Sequence, residues 1–357
     1  MAKPDMLTQA VILVGGQGTR LKPLSDYRPK AMMPVLNRPF LEHAIVYLKK
    51  LGATEITLAL SHLPESIRDY LGDGSNLGIR LNYTVEDSPL GTAGAVKNAE
   101  AHLNHTFAVL NGDIFTDLDI TDMLAFHRRR KAQATIALTW VENPSAFGIV
   151  ETETNGRVRR FIEKPSPDRI TTNWINAGIY FLEPEVLRHI PVNTHYMFER
   201  GLFPRLLELG APIYGYPFRG YWIDMGTPEK YWRLNCDLLL EKTSSQISYE
   251  FGPNRICIEE DVTISPSAEI TGPALIGARC RIGEKARIQG PVILGPDCCV
   301  GDEATIEEAI LWPEASVGTG AGLKQCILSS SSSIEGKRRL TGLVVTPDQE
   351  KSLERPL

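Results

Sequence analysis

Val11-Ile12-Leu13-Val14-Gly15-Gly16-Gln17-Gly18-Thr19-Arg20 stands near the start of the chain, and Pro29-Lys30 follows it. The four aliphatic residues read as a buried strand. The glycines after them let backbone N–H groups approach an anion closely. Arg20 and Lys30 add positive charge on the same side. A strand that runs into such a turn belongs to an α/β fold with ligands at the carboxyl ends of its strands. The stretch is a place to hold a triphosphate.

The pattern downstream agrees as far as residue 241. Residues 55–60, 79–85, 107–110, 134–140 and 174–181 read as strands. Between them, 39–51 has helical spacing at Leu41, Ile45 and Leu48 and stops at Gly52. Residues 120–131 and 228–241 are further helices, and Asn155-Gly156 marks a hairpin. Alternating strands and helices predict a Rossmann-like, doubly wound domain with a mainly parallel sheet over 1–241. The basic run Arg128–Lys131 ends a helix, where cations suit the macrodipole.

The period then changes. Ile258, Ile264, Ile270, Ile276, Ile282, Ile288, Leu294, Val300 and Ile306 recur at every sixth position, several followed by glycine. This is the hexapeptide repeat of a parallel β-helix. At three hexads to a coil, Ile264, Ile282 and Val300 stack in one inward column. Ile270, Ile288 and Ile306 form the next, and Ile258, Ile276 and Leu294 the third. The same arithmetic sets Cys280 beside Cys298, one strand spacing apart. Trp312 breaks the aliphatic rule, so regularity is expected to end near it. The expected division is a catalytic domain 1–241, a linker 242–254, the β-helix 255–328 with Ser329–Ser333 as a loop after it, and a tail 329–357.

Bulk composition removes other classes. The 357 residues carry a formal charge of −5, against the basic face of a nucleic-acid binder. The apolar runs are too short to span a bilayer, and no apolar leader precedes a cleavage site. The six cysteines form no C-x-x-C pair and have no histidine near them, so free thiols in a cytoplasmic protein are expected rather than zinc.

The glycine turn is neither a P-loop, lacking the final Lys-Ser or Lys-Thr, nor a complete dinucleotide fingerprint. The larger constellation is more specific. Gly-Gly-x-Gly-Thr-Arg-Leu-x-Pro-Leu is followed by Pro29-Lys30, Pro34-Val35 and Arg38-Pro39. Pro89-Leu90-Gly91-Thr92-Ala93-Gly94, Asn111-Gly112-Asp113, Phe147-Gly148, Glu163-Lys164-Pro165, Asn176-Ala177-Gly178 and Trp222-Ile223-Asp224-Met225-Gly226-Thr227-Pro228 come after. Over nearly its whole length the chain resembles the sugar-nucleotide pyrophosphorylases. Within them it is most similar to the mannose-1-phosphate guanylyltransferases with a C-terminal left-handed β-helix.

That resemblance implies a reaction of an NTP with a sugar-1-phosphate, giving an NDP-sugar and pyrophosphate. It implies that Leu13, Gly15, Gly16, Gly18, Thr19, Glu86, Pro89, Gly91 and Thr92 line the nucleotide. Arg20 would neutralise the departing phosphates and Lys30 the reacting ones. Asp113 and Asp224 would hold Mg²⁺, an oxygen-seeking ion. Gly112, Gly148, Glu163, Lys164 and Asn176 would bind the sugar phosphate. A carboxylate at Glu86 only accepts hydrogen bonds, which matches the adjacent N–H donors of guanine and favours GTP; the resemblance implies mannose-1-phosphate as the sugar. Glucose-1-phosphate with UTP or dTTP is the alternative. A scaffold relative without activity is a second, but Arg20, Lys30, Asp113, Lys164 and Asp224 are all present. All seven histidines precede residue 196, so the β-helix lacks an acetyltransferase's base and is expected to build a homo-oligomer.

Overall fold

The computed structural model describes residues 7–16, 18–61, 64–243, 247 and 249–353. They fall into two compact units, Met1–Gly16 with Ala44–Trp222, and Gln17–His43 with Ile223–Leu357. The division departs from the expected boundary at 241. The segment that carries Arg20 and Lys30 groups with the β-helix, although it directly follows the strand of the other unit in sequence.

The first unit is built on a nine-stranded sheet. Its strands are β1 (Gln9–Leu13), β2 (Glu55–Leu60), β3 (Arg80–Val85), β4 (Phe107–Asn111), β5 (Ala134–Trp140), β6 (Gly148–Thr152), β7 (Val158–Glu163), β8 (Trp174–Leu182) and β9 (Ile213–Pro217). The order is β7-β6-β8-β4-β1-β2-β3, with β5 beside β8 and β9 beside β5. β1 runs parallel between β2 and β4, Val11 lying opposite Thr57 and Val109. A strand covered on both faces needs an unbroken apolar run, which explains why Val11 and Ile12 are fully buried. β8 enters antiparallel to β4, β5 and β6. Its pairing with β5 shifts between Asn176 and Tyr180.

Helices α1 (Phe40–Lys50), α2 (Pro64–Leu71), α3 (Gly91–Asn98) and α4 (Ile120–Arg129) follow the strand–helix alternation, and α5 (Phe203–Glu208) and α6 (Pro228–Leu239) come later in the chain. Asp119 caps α4 by accepting from the Thr121 and Asp122 N–H groups. Asn155-Gly156 makes the expected hairpin between β6 and β7, with Gly156 at φ 87°. Phe107, Tyr180, Phe198 and Phe203 pack in the main core of this unit. No helix among the described residues is long and apolar enough to cross a membrane.

In the second unit the expected columns appear in register. Ile264 pairs with Ile282 and Ile282 with Val300; Ile270, Ile288 and Ile306 align, as do Ile258, Ile276 and Leu294. Arg281 lies opposite Cys299, which sets Cys280 beside Cys298. Both thiols are buried and free, Cys280 donating to the Gly295 carbonyl at 3.1 Å and Cys298 to that of Trp312 at 3.2 Å.

The β-helix does not end near Trp312 or at Leu328. Leu294 pairs with Leu311, Leu311 with Leu328, and Leu328 with Val345, so the repeat shortens from eighteen to seventeen residues and continues. The lost residue comes from one corner. Thr271-Gly272-Pro273-Ala274 and Gln289-Gly290-Pro291-Val292 turn it in the early coils; later a single left-handed residue does so, at Glu308, Gln325 and Gly342. Six-residue counting therefore fails at Trp312 because Leu311 has taken the column. The serine run is part of a coil: Ser316 and Ser333 pair, while Ser329 and Ser332 are fully buried and bonded to each other. Part of the expected tail is ordered too, Glu350–Ser352 adding antiparallel to Leu343–Val345. Residues 354–357 and four residues of the expected linker (244–246 and 248) lie outside the described residues.

A column this tightly packed sets a stability expectation. Ile288 is 1% exposed between Ile270 and Ile306. Ile288→Ala should destabilise the β-helix by about 2–5 kcal/mol. Removal of the exposed neighbour, Arg287→Ala, should cost under about 0.5 kcal/mol. Denaturant titration of both variants checks this.

Candidate active site

In the first unit the carboxyl ends of β1 and β4 bring two of the expected features together. Gly15 and Gly16 follow β1, and Ser61 donates to the Gly15 carbonyl at 2.6 Å. Open space surrounds the Cα of Gly16. Beyond β4, the Gly112 N–H donates to the Leu13 carbonyl at 2.9 Å. A Cβ at Gly112 would lie 2.5 Å from that same oxygen, so only glycine lets this turn hug the end of β1. Half-buried Asp113 is thereby delivered next to the glycine turn.

A second group forms around the Pro89–Gly94 loop. Ala93 and Gly94 donate to the Tyr196 carbonyl at 3.0 and 2.9 Å, and Tyr196 donates back to Leu90 at 2.8 Å. A Cβ at Gly91 would meet that Tyr196 carbonyl at 2.8 Å. Thr92 accepts from the Phe198 N–H at 3.0 Å and donates to Glu199 at 3.3 Å. Glu86 does not stand free: its Oε2 accepts from the Leu90 N–H at 3.0 Å, so it staples the loop it precedes. Burial pushes its carboxyl up, partly offset by that N–H.

Glu163 ends β7 opposite Gly148, and a Cβ at Gly148 would sit 2.7 Å from its Oε2. Gly148 therefore makes the space the carboxylate occupies. Lys164 follows at φ 46°, a left-handed conformation rare for lysine, with its N–H on the Phe147 carbonyl at 3.1 Å. Asn176 braces the irregular stretch of β8: Nδ2 donates to Tyr180 at 2.8 Å, and Oδ1 accepts from the Gly178 N–H at 3.0 Å. Burial raises the Glu163 carboxyl above its ordinary range, opposed by Lys164 and Arg200.

Glu199, absent from the expected set, lies in the wide turn Phe198–Leu202 with Thr92 and Tyr180 as partners. Its carboxyl is raised by burial and then by the charge of Glu163. The sequence carried a signal for it: Glu199-Arg200 is a charged pair inside the apolar stretch Met197–Phe203.

In the second unit, the segment 18–32 and residues 223–230 converge on Asp224. Gly18 takes φ 62° and starts the single turn that carries Arg20. Lys30 opens another single turn, its side chain only 10% exposed. Asp224 faces Lys230 at 3.7 Å and both Arg20 and Lys30 at 3.9 Å. Thr227 caps helix α6, accepting from the Lys230 N–H at 3.3 Å. A Cβ at Gly226 would lie 2.9 Å from both Arg20 and Asp224. Lys230 was not expected; it stands three residues past the Thr227 cap, where a first-turn lysine looks like surface. Oδ1 of Asp224 is buried and has no hydrogen-bond partner among the described residues. An orphaned carboxylate oxygen fits a hard cation. No cluster of three or more His, Cys, Asp or Glu that could hold a metal occurs among the described residues. One or two carboxylates are what Mg²⁺ takes when substrate phosphates complete its shell.

A family model described as nucleotidyl transferase matches residues 9–241. The chain belongs to the nucleotidyl transferase family. The GMPPB C-terminal domain matches residues 270–351 of this nucleotidyl transferase, in keeping with coils that run past Leu328. It is 38% identical to a mannose-1-phosphate guanylyltransferase of Mycobacterium tuberculosis over 77% of this chain and 76% of that one. It is 35% identical to the Danio rerio mannose-1-phosphate guanylyltransferase catalytic subunit beta over 94% of this chain and 90% of that one. A UTP–glucose-1-phosphate uridylyltransferase of Synechocystis is 31% identical over 88% and 85%. Among solved structures, HddC from Yersinia pseudotuberculosis complexed with GMP-PN matches at a TM-score of 0.56 and 29% identity, covering 64% of this chain and 98% of that chain.

The raised Glu163 carboxyl gives the site a pH signature. A carboxyl raised in the folded protein stays protonated to higher pH and accepts hydrogen bonds fully only once pH exceeds its shifted value. The KM for sugar-1-phosphate should therefore climb as pH falls from 7 toward 5. Glu163→Gln should remove that part of the dependence and leave only the titration of the substrate phosphate. Identical KM profiles for the two proteins would rule the role out.

Proposed function

We propose that this nucleotidyl transferase converts GTP and mannose-1-phosphate to GDP-mannose and pyrophosphate. The phosphate-handling half of the reading is carried by one observation, the Asp224 carboxylate surrounded by Lys30, Arg20 and Lys230 with one oxygen left unbonded. Three cationic side chains gathered at one carboxylate suit a polyphosphate ligand. The choice of substrates is supported by relatives named mannose-1-phosphate guanylyltransferase at 35–38% identity.

The reaction needs little from the protein beyond placement and charge. A sugar-phosphate oxygen bonds to the α-phosphorus as the bond to the bridging oxygen breaks and pyrophosphate leaves in line. Backbone N–H groups at Gly15, Gly16 and Gly18 bind the nucleotide, with Leu13, Thr19, Pro89, Gly91 and Thr92 lining it. Arg20 neutralises the leaving phosphates and Lys30 the reacting group. Lys164 fixes the sugar phosphate, Glu163 accepts from sugar hydroxyls, and Gly112, Gly148 and Asn176 shape that pocket. Asp113 and Asp224 would hold Mg²⁺, which neutralises phosphate charge and orients the oxygens when bound. The free thiols fit a cytoplasmic enzyme, and the flat β-helix faces suit a homo-oligomer.

A second reading, glucose-1-phosphate with UTP or dTTP, is favoured by the name of the Synechocystis relative. Purified protein with Mg²⁺ and a panel of NTPs against mannose-, glucose- and N-acetylglucosamine-1-phosphate separates the two by pyrophosphate release. GTP with mannose-1-phosphate should be fastest, and release from no pair would favour a scaffold role. Lys30→Ala and Asp113→Asn should each lower turnover by at least about 10²-fold with the fold intact.

Glu86 gives the base specificity its own test. Glu86→Gln should weaken GTP use more than UTP or dTTP use if the carboxylate reads guanine. An unchanged preference would leave Glu86 as the staple of the Leu90 loop only.

A further inference from the structure

Trp312 is the residue that the repeat does not explain. Leu311 fills the inward column, yet Trp312 is itself fully buried. Its partner is on α6 (Pro228–Leu239), the helix that begins at Thr227 beside Asp224. The Trp312 indole N–H donates to the Tyr231 hydroxyl at 2.8 Å, and that hydroxyl donates to the Pro34 carbonyl at 2.5 Å. Tyr231 is also fully buried, and its ring meets the indole edge-on at a centroid distance of 6.2 Å. Tyr231 directly follows Lys230, and Pro34 lies two residues past the turn that carries Lys30.

Other bonds tie the same segment to the β-helix side of the unit. Asn37 donates to the Leu294 carbonyl at 2.9 Å, and Leu36 donates to Asn235 of α6 at 2.9 Å. The Tyr249 hydroxyl bonds the Leu36 carbonyl. Trp232 of α6 donates to the Glu308 carbonyl, at the corner where the coil loses its residue, at 2.8 Å. At the far end of the coils, Tyr27 bonds Asp348, and Lys351 donates to the Lys22 carbonyl at 3.3 Å.

We infer that the β-helix positions the phosphate-handling cations, and that Trp312 is the positioning residue at the centre of this coupling. Its indole fixes Tyr231 from one side. The phenol in turn fixes both the start of α6, with Lys230 on Asp224, and the end of the Lys30 segment. Burial makes the coupling stiff, because an unmade bond in this chain would strand a buried polar group. The catalytic groups themselves are those named above; this inference rests on that reading and adds what holds them.

The test uses the full-length chain and two readouts. Trp312→Phe keeps an aromatic ring and deletes the donor. It should lower kcat by about 10-fold, as expected when a displaced group loses alignment, and leave the KM for sugar-1-phosphate within about two-fold. Amide hydrogen exchange, which needs no turnover, should quicken at residues 30–36 and 228–232 while 107–111 stay unchanged. Tyr27→Phe, a change at a half-buried residue outside the core, should quicken exchange at residues 22–28. Unchanged exchange at 30–36, or a uniform rise across the whole chain, overturns the positioning role. Loss of activity without the local exchange change overturns it too. Wild-type protein that turns over no substrate pair refutes the proposed reaction, while the exchange pattern still decides whether the β-helix holds the segment.

Discussion

Asp224 lies within 3.9 Å of three cationic side chains, and much of the second unit is arranged around that cluster. Each of its pairs is 3.7–3.9 Å long, too long for a hydrogen bond and short enough for strong Coulomb attraction. Lys30 is nearly buried, so its charge is poorly screened by water. A cluster of this kind must be assembled by packing, since like charges do not gather on their own. The helix cap at Thr227, the glycine at 226 and the left-handed Gly18 each remove an obstacle to that assembly.

A different arrangement holds in the first unit. There carboxylates are gathered: Glu163 and Glu199 are both raised by burial, and Glu199 further by its neighbour. Hydroxyls surround them, from Thr92 and Tyr180, and Asn176 braces the strand between. Such a group accepts and donates hydrogen bonds at short range and suits a polyol more than a phosphate. The second unit thus gathers basic side chains around one carboxylate, and the first gathers carboxylates and hydroxyls.

Most of the fold was legible because it is periodic. β2 and β5 fall on the expected residues, and the nine aliphatics of the β-helix fall in register, although Ile258 in the first coil is 49% exposed. Strand direction was not legible: β8 looks like any other buried strand, and only its partners show it to be antiparallel. The site motifs were legible as residue types, since glycines and isolated charges in apolar runs stand out. Glu199, Tyr180 and Lys230 were missed because each joins its partners only through tertiary contact. Trp312 misled for a related reason. A count of six assumes that no corner loses a residue, and this chain loses one at Glu308.

That lost residue says something about how such a domain can change length. Each face of the coil is fixed by its inward aliphatic, but the corner accommodates either a Gly-Pro pair or one left-handed residue without moving the columns on either side. The corner works as a slip joint. Insertions and deletions there shift the numbering of everything that follows and leave the stacking intact, whereas one added residue within a face would turn its side chains inside out. Relatives of this chain can therefore drift in length at the corners while keeping the same height of core.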